Sequence, residues 1–217
     1  MQVEVPDPNQ LMNIFDTISY AKGSVICRML HNYLGDESWK QSLRGYLTKH
    51  ANANAKTPDL LTIMDEEFAK QSGSERFLHG SEQLTVSEFI TPWISQKCFP
   101  MVMIEEDSEA VGAFTLTQSC VYMNMATREM LWPIHMTYRT SNGRTGSFVF
   151  SQREFEIVIE LESEDEAVWF NADMLGFYLP IPSGPYFEDR LLPKVQDFSE
   201  ADKFGILFVI NKMFGVE

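Results

Sequence analysis

Residues 14–34 read IFDTISYAKGSVICRMLHNYL. Ile18, Val25, Ile26, Met29, Leu30, Tyr33 and Leu34 recur at helical spacing and form one apolar stripe. At about 100° per residue, Tyr20 falls roughly 130° from the centre of that stripe. Ser24, Arg28 and His31 share its side, whereas Lys22 falls near the stripe and is expected to snorkel. Tyr20 therefore projects away from its own helix's core. A phenol in that position is either an ordinary interface side chain or a rigid single O–H donor for an oxyanion.

More helices follow. Gly35 suits a C-terminal cap and Asp36 the next N-cap, with Trp39, Leu43, Tyr46 and Leu47 marking a second helix that ends near His50. Thr57-Pro58-Asp59 predicts a cap at Thr57 and a third helix carrying Leu60, Leu61, Ile63, Met64 and Phe68. Residues 72–83 read as a loop, and Thr85 with Glu88 as a capping box for a fourth helix through Trp93.

Near Pro100 the period changes. Met101, Met103, Phe114 and Leu116 lie in short β-prone runs, and Trp132, Ile134, Met136 and Tyr138 alternate. Asn142-Gly143 is a hairpin signal. Phe155, Ile157, Ile159 and Leu161 interleave with glutamates and predict the clearest strand, followed by Val168-Phe170 and Phe177-Tyr178. Pro180–Pro185 reads as a joint, and Leu191, Leu192 and Val195 as a short helix. Ser199 and Asp202 cap a last helix with Ile206, Leu207, Val209, Ile210, Met213 and Phe214. That helix is apolar over much of its circumference. It needs neighbours on several sides, supplied either by further helices or by packing on the strands.

The formal net charge is −14, from 31 acids and 17 bases. Nucleic-acid binding requires a basic footprint, and an anionic membrane surface would repel the chain, so neither partner is expected. No apolar run is long enough to span a bilayer, and residues 1–6 lack a signal-peptide pattern. Cys27, Cys98 and Cys120 are odd in number and scattered, which reads as free, mostly buried thiols in a reducing, cytoplasmic setting. His31, His50, His79 and His135 form no close pair and read as surface or capping residues. The seven acids between Glu154 and Glu166 read as the wet face of a strand and its turn, not as metal ligands.

Ile14-Phe15-Asp16-Thr17-Ile18-Ser19-Tyr20-Ala21-Lys22-Gly23, continuing to Arg28-Met29-Leu30, resembles the puromycin-sensitive branch of the gluzincin zinc aminopeptidases, as does Gln2-Val3-Glu4-Val5. Trp93 with Gln96-Lys97-Cys98-Phe99-Pro100 is similar to that family's Trp…Gln-x-Gly-Phe/Tyr-Pro hinge. Asn171 with Gly176-Phe177-Tyr178 resembles its Asn…Gly-Phe-Tyr-Arg element, and Ser199–Lys203 the opening of its C-terminal helical domain. Cys98 stands where the family has glycine and Leu179 where it has arginine; residues 73–83 look longer than the family's loop.

The resemblance implies an α+β multidomain chain. Residues 1–98 would be the helical C-terminal part of a thermolysin-like catalytic domain, 99–181 a small antiparallel β-sandwich, and 182–217 the first helices of an α-helical superdomain. It implies a family that removes N-terminal residues from peptides with one zinc ion, and it assigns Tyr20 the catalytic role of hydrogen-bonding the oxyanion of the tetrahedral intermediate. The family's H-E-x-x-H, third zinc ligand and amine-gripping G-x-M-E-N loop do not occur in these 217 residues. The chain alone is therefore expected to bind no catalytic zinc and to be inactive. The alternative is a non-catalytic interaction module derived from the same family. Self-association through the apolar last helix is a further expectation.

Overall fold

The structure, a computed structural model, describes residues 17–70 and 84–214. The loop expected at 72–83, His79 and the matched residues before Thr17 lie outside the described residues. The chain is α+β and divides into two compact units, residues 1–97 and 98–217.

The first unit holds α1 (Thr17–Leu34), α2 (Asp36–Lys49), α3 (Thr57–Phe68) and α4 (Val86–Ser95). Ile26, Met29, Leu30, Tyr33 and Leu34 of α1 are buried with Ile63, Met64 and Phe68 of α3 and Phe89, Ile90 and Trp93 of α4. Tyr33 stacks on Phe89 with ring centroids 4.0 Å apart. Burial pushes its phenol well above the usual tyrosine range, with Asp65 and Glu88 adding to the shift. Helix ends are set locally. Thr85 Oγ1 accepts from Glu88 N while Glu88 Oε2 accepts from Thr85 N, the expected capping box. Asp65 of α3 adds a second anchor to the same terminus, accepting from Ser87 N at 2.9 Å.

Two other caps differ from expectation. Asp36 is the first residue of α2, and Gly35 precedes it at φ 78°, ψ 162°, a conformation open to glycine alone without cost. The Asp36 carboxylate accepts from His31 Nε2 at 2.7 Å and from Lys40 Nζ at 3.4 Å, and these partners hold it below the usual carboxylate range. Thr57 likewise lies inside α3. The cap is Lys56, whose N–H donates to Asp59 Oδ2 at 2.7 Å.

The second unit contains two small sheets. One runs β5 (Glu154–Val158), β2 (Ala113–Cys120), β1 (Pro100–Glu106), β7 (Leu179–Pro182); the other runs β4 (Thr145–Phe150), β3 (Ile134–Thr140), β6 (Val168–Phe170). Pairing is antiparallel except for β1 with β7, which is parallel. This corrects the expected all-antiparallel sheet. It also turns part of the expected proline joint into a strand. Pro180 and Pro182 are tolerated because β7 lies at the sheet edge, where a missing N–H breaks no ladder. The sheets meet through aromatic rings: Phe155 of β5 stacks on Phe148 and Phe150 of β4, and Phe114 of β2 meets Phe170 of β6 edge-on. Gln118, fully buried on β2, donates to the carbonyls of Trp132 and Gln152 and accepts from Trp132 N, so a polar side chain stitches the core.

After β7 the chain forms α5 (Gly184–Tyr186), continues in helical turns to Asp197, and ends in α6 (Glu200–Phe214). Tyr186 Oη donates to Val168 O and accepts from Val168 N, which satisfies both backbone groups of that residue. Asp202 on α6 is fully buried. Its carboxylate accepts from Arg139 Nε at 2.7 Å, from Ser199 Oγ at 2.7 Å and from Asp173 N at 2.7 Å. Arg139 also reaches Asp173 at 2.7 Å. The first turn of α6 is thereby fixed to β3 and to the helical turn Ala172–Met174.

Three further expectations need correction. Cys98 and Cys120 form a disulfide, because Pro100 pairs with Cys120 and this brings residue 98 within reach, Cα–Cα 6.3 Å. The remaining Cys27 is exposed, not buried. His135 is buried in β3 opposite Val149, neither at the surface nor at a cap. Glu166, the last of the acidic run, is buried and paired with Arg144 at 3.1 Å, while the other six acids face water as expected.

Two outcomes are expected. Burial lowers the His135 pKa from 6.5 to about 4. Above pH 6.5 the imidazole is neutral in both folded and unfolded chains. Between 6.5 and 4 only the unfolded chain takes up the proton, so stability falls with pH by about 1.4 kcal/mol per unit, about 3 kcal/mol in all. Urea unfolding of wild type and His135→Gln at pH 7 and pH 4.5 checks this: the variant should have the shallower pH dependence, and equal slopes would refute it. Asp202→Ala leaves Arg139 facing a vacated, water-poor pocket and should cost about 3 kcal/mol by the same measurement; a loss below about 1 kcal/mol would mean that the network contributes little.

Candidate functional site

Helix α1 has one buried and one exposed side. Burial of Ile26, Met29, Leu30 and Tyr33 fixes its rotation, and the opposite side carries Tyr20, Ser24, Cys27 and Arg28, all exposed, with His31 half-exposed. Tyr20 is 64% exposed. Cys27 was missed as a member of this face. Its place follows from the helical repeat, because seven residues make nearly two full turns and set it about 10 Å along the axis from Tyr20.

Much of the polar capacity of the face is already used. Ser24 Oγ donates to Ala21 O at 2.9 Å, and the His31 ring is bonded to Asp36. The face also presents the exposed phenol of Tyr20 and the exposed guanidinium of Arg28. Such a face can bind and polarise an electron-rich oxygen.

Lys22, two residues from Tyr20, has a different job. Its Nζ donates to Gln96 O at 3.1 Å, the residue that ends α4, and burial holds the ammonium below its usual range. The helix C-terminus presents unsatisfied carbonyls and partial negative charge, so a lysine there both caps and pairs. Within the Ser-Tyr-x-Lys-Gly stretch, therefore, the lysine holds α1 to α4, and the tyrosine two residues earlier is left facing out.

The other matched motifs also have a structural explanation. Asn171 takes a left-handed conformation at φ 69°. Its side-chain amide donates to Gly176 O and Tyr178 O, and its Oδ1 accepts from Gly176 N at 2.8 Å. A Cβ on Gly176 would lie 2.0 Å from the Tyr178 ring, so only glycine lets that ring close over the turn. Leu179, where the family resemblance has arginine, begins β7, whereas Arg139 of β3 reaches Asp173 and Asp202.

The zinc implied by the resemblance does not fit the described residues. Among them no three His, Cys, Asp or Glu side chains converge to hold a metal ion. His31 is committed to Asp36, and His135 lies inside the second unit. Among the described residues no helix is long and apolar enough to cross a membrane.

Residues 1–93 match the family model described as "Peptidase family M1 domain". The chain is 29% identical over 207 residues to Tricorn protease-interacting factor F2 of Thermoplasma volcanium, covering 95% of this chain and 23% of that protein. It is 27% identical over 207 residues to a leucyl aminopeptidase of Saccharolobus solfataricus, again with 95% and 23% covered. It is 24% identical over 218 residues to the puromycin-sensitive aminopeptidase of Caenorhabditis elegans, with 95% and 21% covered. The chain thus spans less than a quarter of the length of these relatives. A family model over the helical unit that carries Tyr20, together with aminopeptidase relatives aligned across nearly the whole chain, supports a relationship of this chain to the M1 zinc aminopeptidase family.

Proposed function

We propose that this chain supplies the oxyanion-binding portion of a metallo-aminopeptidase acting on the N-termini of peptides, with Tyr20 as the catalytic hydrogen-bond donor. The observation that carries this reading is the exposure of Tyr20 on a helix whose rotation is fixed by its buried stripe and by Lys22. When a nucleophile adds to a peptide carbonyl, the oxygen gains negative charge. A phenol already aimed at that oxygen gains strength as the charge develops and reorganises little. Residues 1–98 would then be the end of the catalytic domain, 99–181 a β-sandwich and 182–217 the opening of a helical domain. The substrate's cationic N-terminus suits an acidic protein. Because the 217 residues contain no H-E-x-x-H, metal-dependent hydrolysis needs a metal-binding segment supplied from elsewhere, and the chain alone is inactive on this reading.

Joining the chain to the metal-binding half of an M1 relative and assaying an aminoacyl reporter tests the assignment. Tyr20→Phe should lower kcat by about 10² to 10³ with little change in KM. An unchanged kcat, or hydrolysis by the 217 residues alone, would remove Tyr20 from the mechanism.

A second reading, a non-catalytic interaction module that self-associates, is favoured by one observation. Phe204, Leu207 and Phe208 of α6 are 62%, 61% and 40% exposed, while Ile206 and Val209 on the same helix are buried. Contiguous exposed apolar side chains on a helix favour a partner surface. On this reading, sedimentation velocity should reveal a concentration-dependent dimer that Phe204→Glu with Leu207→Glu abolishes; a wild-type chain monomeric at 100-fold dilution and at high concentration alike would exclude it.

A further inference from the structure

We propose that Cys98 and Cys120 form a reversible thiol–disulfide site that controls the mobility of the connection at Lys97, independently of any peptidase chemistry. The boundary between the two compact units falls between Lys97 and Cys98. On its first side the chain is tied down as far as Gln96, whose N–H donates to Pro92 O and whose carbonyl accepts from Lys22. On its second side the ties resume at Phe99, whose carbonyl accepts from Val121 N at 3.1 Å and whose ring stacks on Phe177 at 5.0 Å. Lys97 and Cys98 lie between these anchors. Lys97 is exposed, and Cys98 sits at φ 72°, a backbone conformation that side chains other than glycine rarely adopt. The bond to Cys120 is the covalent restraint on that residue.

Three features make the site switchable rather than purely structural. Cys98 is half-exposed while Cys120 is buried, so an incoming thiolate can reach the Cys98 sulfur. The 22-residue separation is already closed by seven residue pairs between β1 and β2, from Pro100–Cys120 to Glu106–Phe114, so the sheet does not need the bond to form. And the segment the bond restrains is two residues long, so breaking it has a local consequence.

The exchange is a two-electron step. A thiolate of a small dithiol attacks Cys98 Sγ; the Sγ–Sγ bond breaks, and Cys120 leaves as a thiolate that takes up a proton. The second thiol of the reductant then attacks the mixed disulfide, releasing Cys98 as a protonated thiol and closing the reductant into its own cyclic disulfide. A reducing compartment would hold the site open, and oxidative conditions would close it.

Limited trypsin digestion of the 217-residue chain, with the fragment beginning at Cys98 followed by mass spectrometry, tests this. The oxidised chain should be cut slowly after Lys97. Dithiothreitol should raise that rate about fivefold or more, and reoxidation should reverse it. Cys98→Ser and Cys120→Ser should be cut at the reduced rate whatever the redox state, with unchanged far-ultraviolet circular dichroism. Equal rates for oxidised and reduced wild type, absence of a linked Cys98–Cys120 peptide after oxidation, or unfolding of both variants would each overturn the proposal.

Discussion

The rotation of α1 about its own axis is the constraint on which the functional reading depends. An α-helix turns by about 100° per residue, so burying one stripe decides where every other side chain points. Here the stripe of Ile26, Met29, Leu30, Tyr33 and Leu34 is locked against α3 and α4, with the stacked Tyr33–Phe89 pair at its C-terminal end. Lys22 adds a polar anchor at the other end of the helix by reaching Gln96 O. With both ends held, Tyr20 cannot turn inward without dragging the whole stripe out of the core. At roughly 1.5–3 kcal/mol for each large apolar side chain, that rearrangement is far beyond thermal reach.

The same logic separates inward-facing from outward-facing members of the matched motifs. Asn171 pins the turn that Gly176 opens for the Tyr178 ring, and Asp202 ties the start of α6 to Arg139. These residues stay buried or half-buried and are hydrogen-bonded within their own unit. Lys22 behaves likewise. Tyr20, like Arg28, is a matched residue whose side chain faces solvent, on the side of α1 opposite its packing stripe. The β-unit, for its part, is held by rings meeting between two sheets and by Gln118 inside the core, features that concern folding more than chemistry.

Local signals in the sequence were reliable where a single short-range interaction decides the outcome. The Thr85–Glu88 capping box, the Asn142-Gly143 turn and the helical stripe of α1 depend on neighbours a few residues away. What sequence reading missed depends on distant pairing. Burial of His135 and Glu166 follows from sheet register and from Arg144 arriving across a turn. The Cys98–Cys120 bond follows from β1 pairing with β2, not from cysteine count. Pro180–Pro185 reads as a joint because proline argues against a strand, yet the edge position of Leu179–Pro182 removes that objection there. The exposed side of α1 was legible residue by residue, apart from Cys27, because helical geometry alone generates it.

The central claim is that the Tyr20 phenol faces the reacting centre once a metal-bearing segment is present, and its reactivity reports this most directly. Nitration by tetranitromethane, quantified peptide by peptide, compares Tyr20 with the buried Tyr33, Tyr178 and Tyr186 as internal controls. In the 217-residue chain Tyr20 should be nitrated much faster than these three. In the chain joined to a metal-binding half and saturated with a tetrahedral transition-state analogue of peptide hydrolysis, Tyr20 should become protected while the controls stay unchanged. Equal nitration of Tyr20 with and without the analogue would contradict the account.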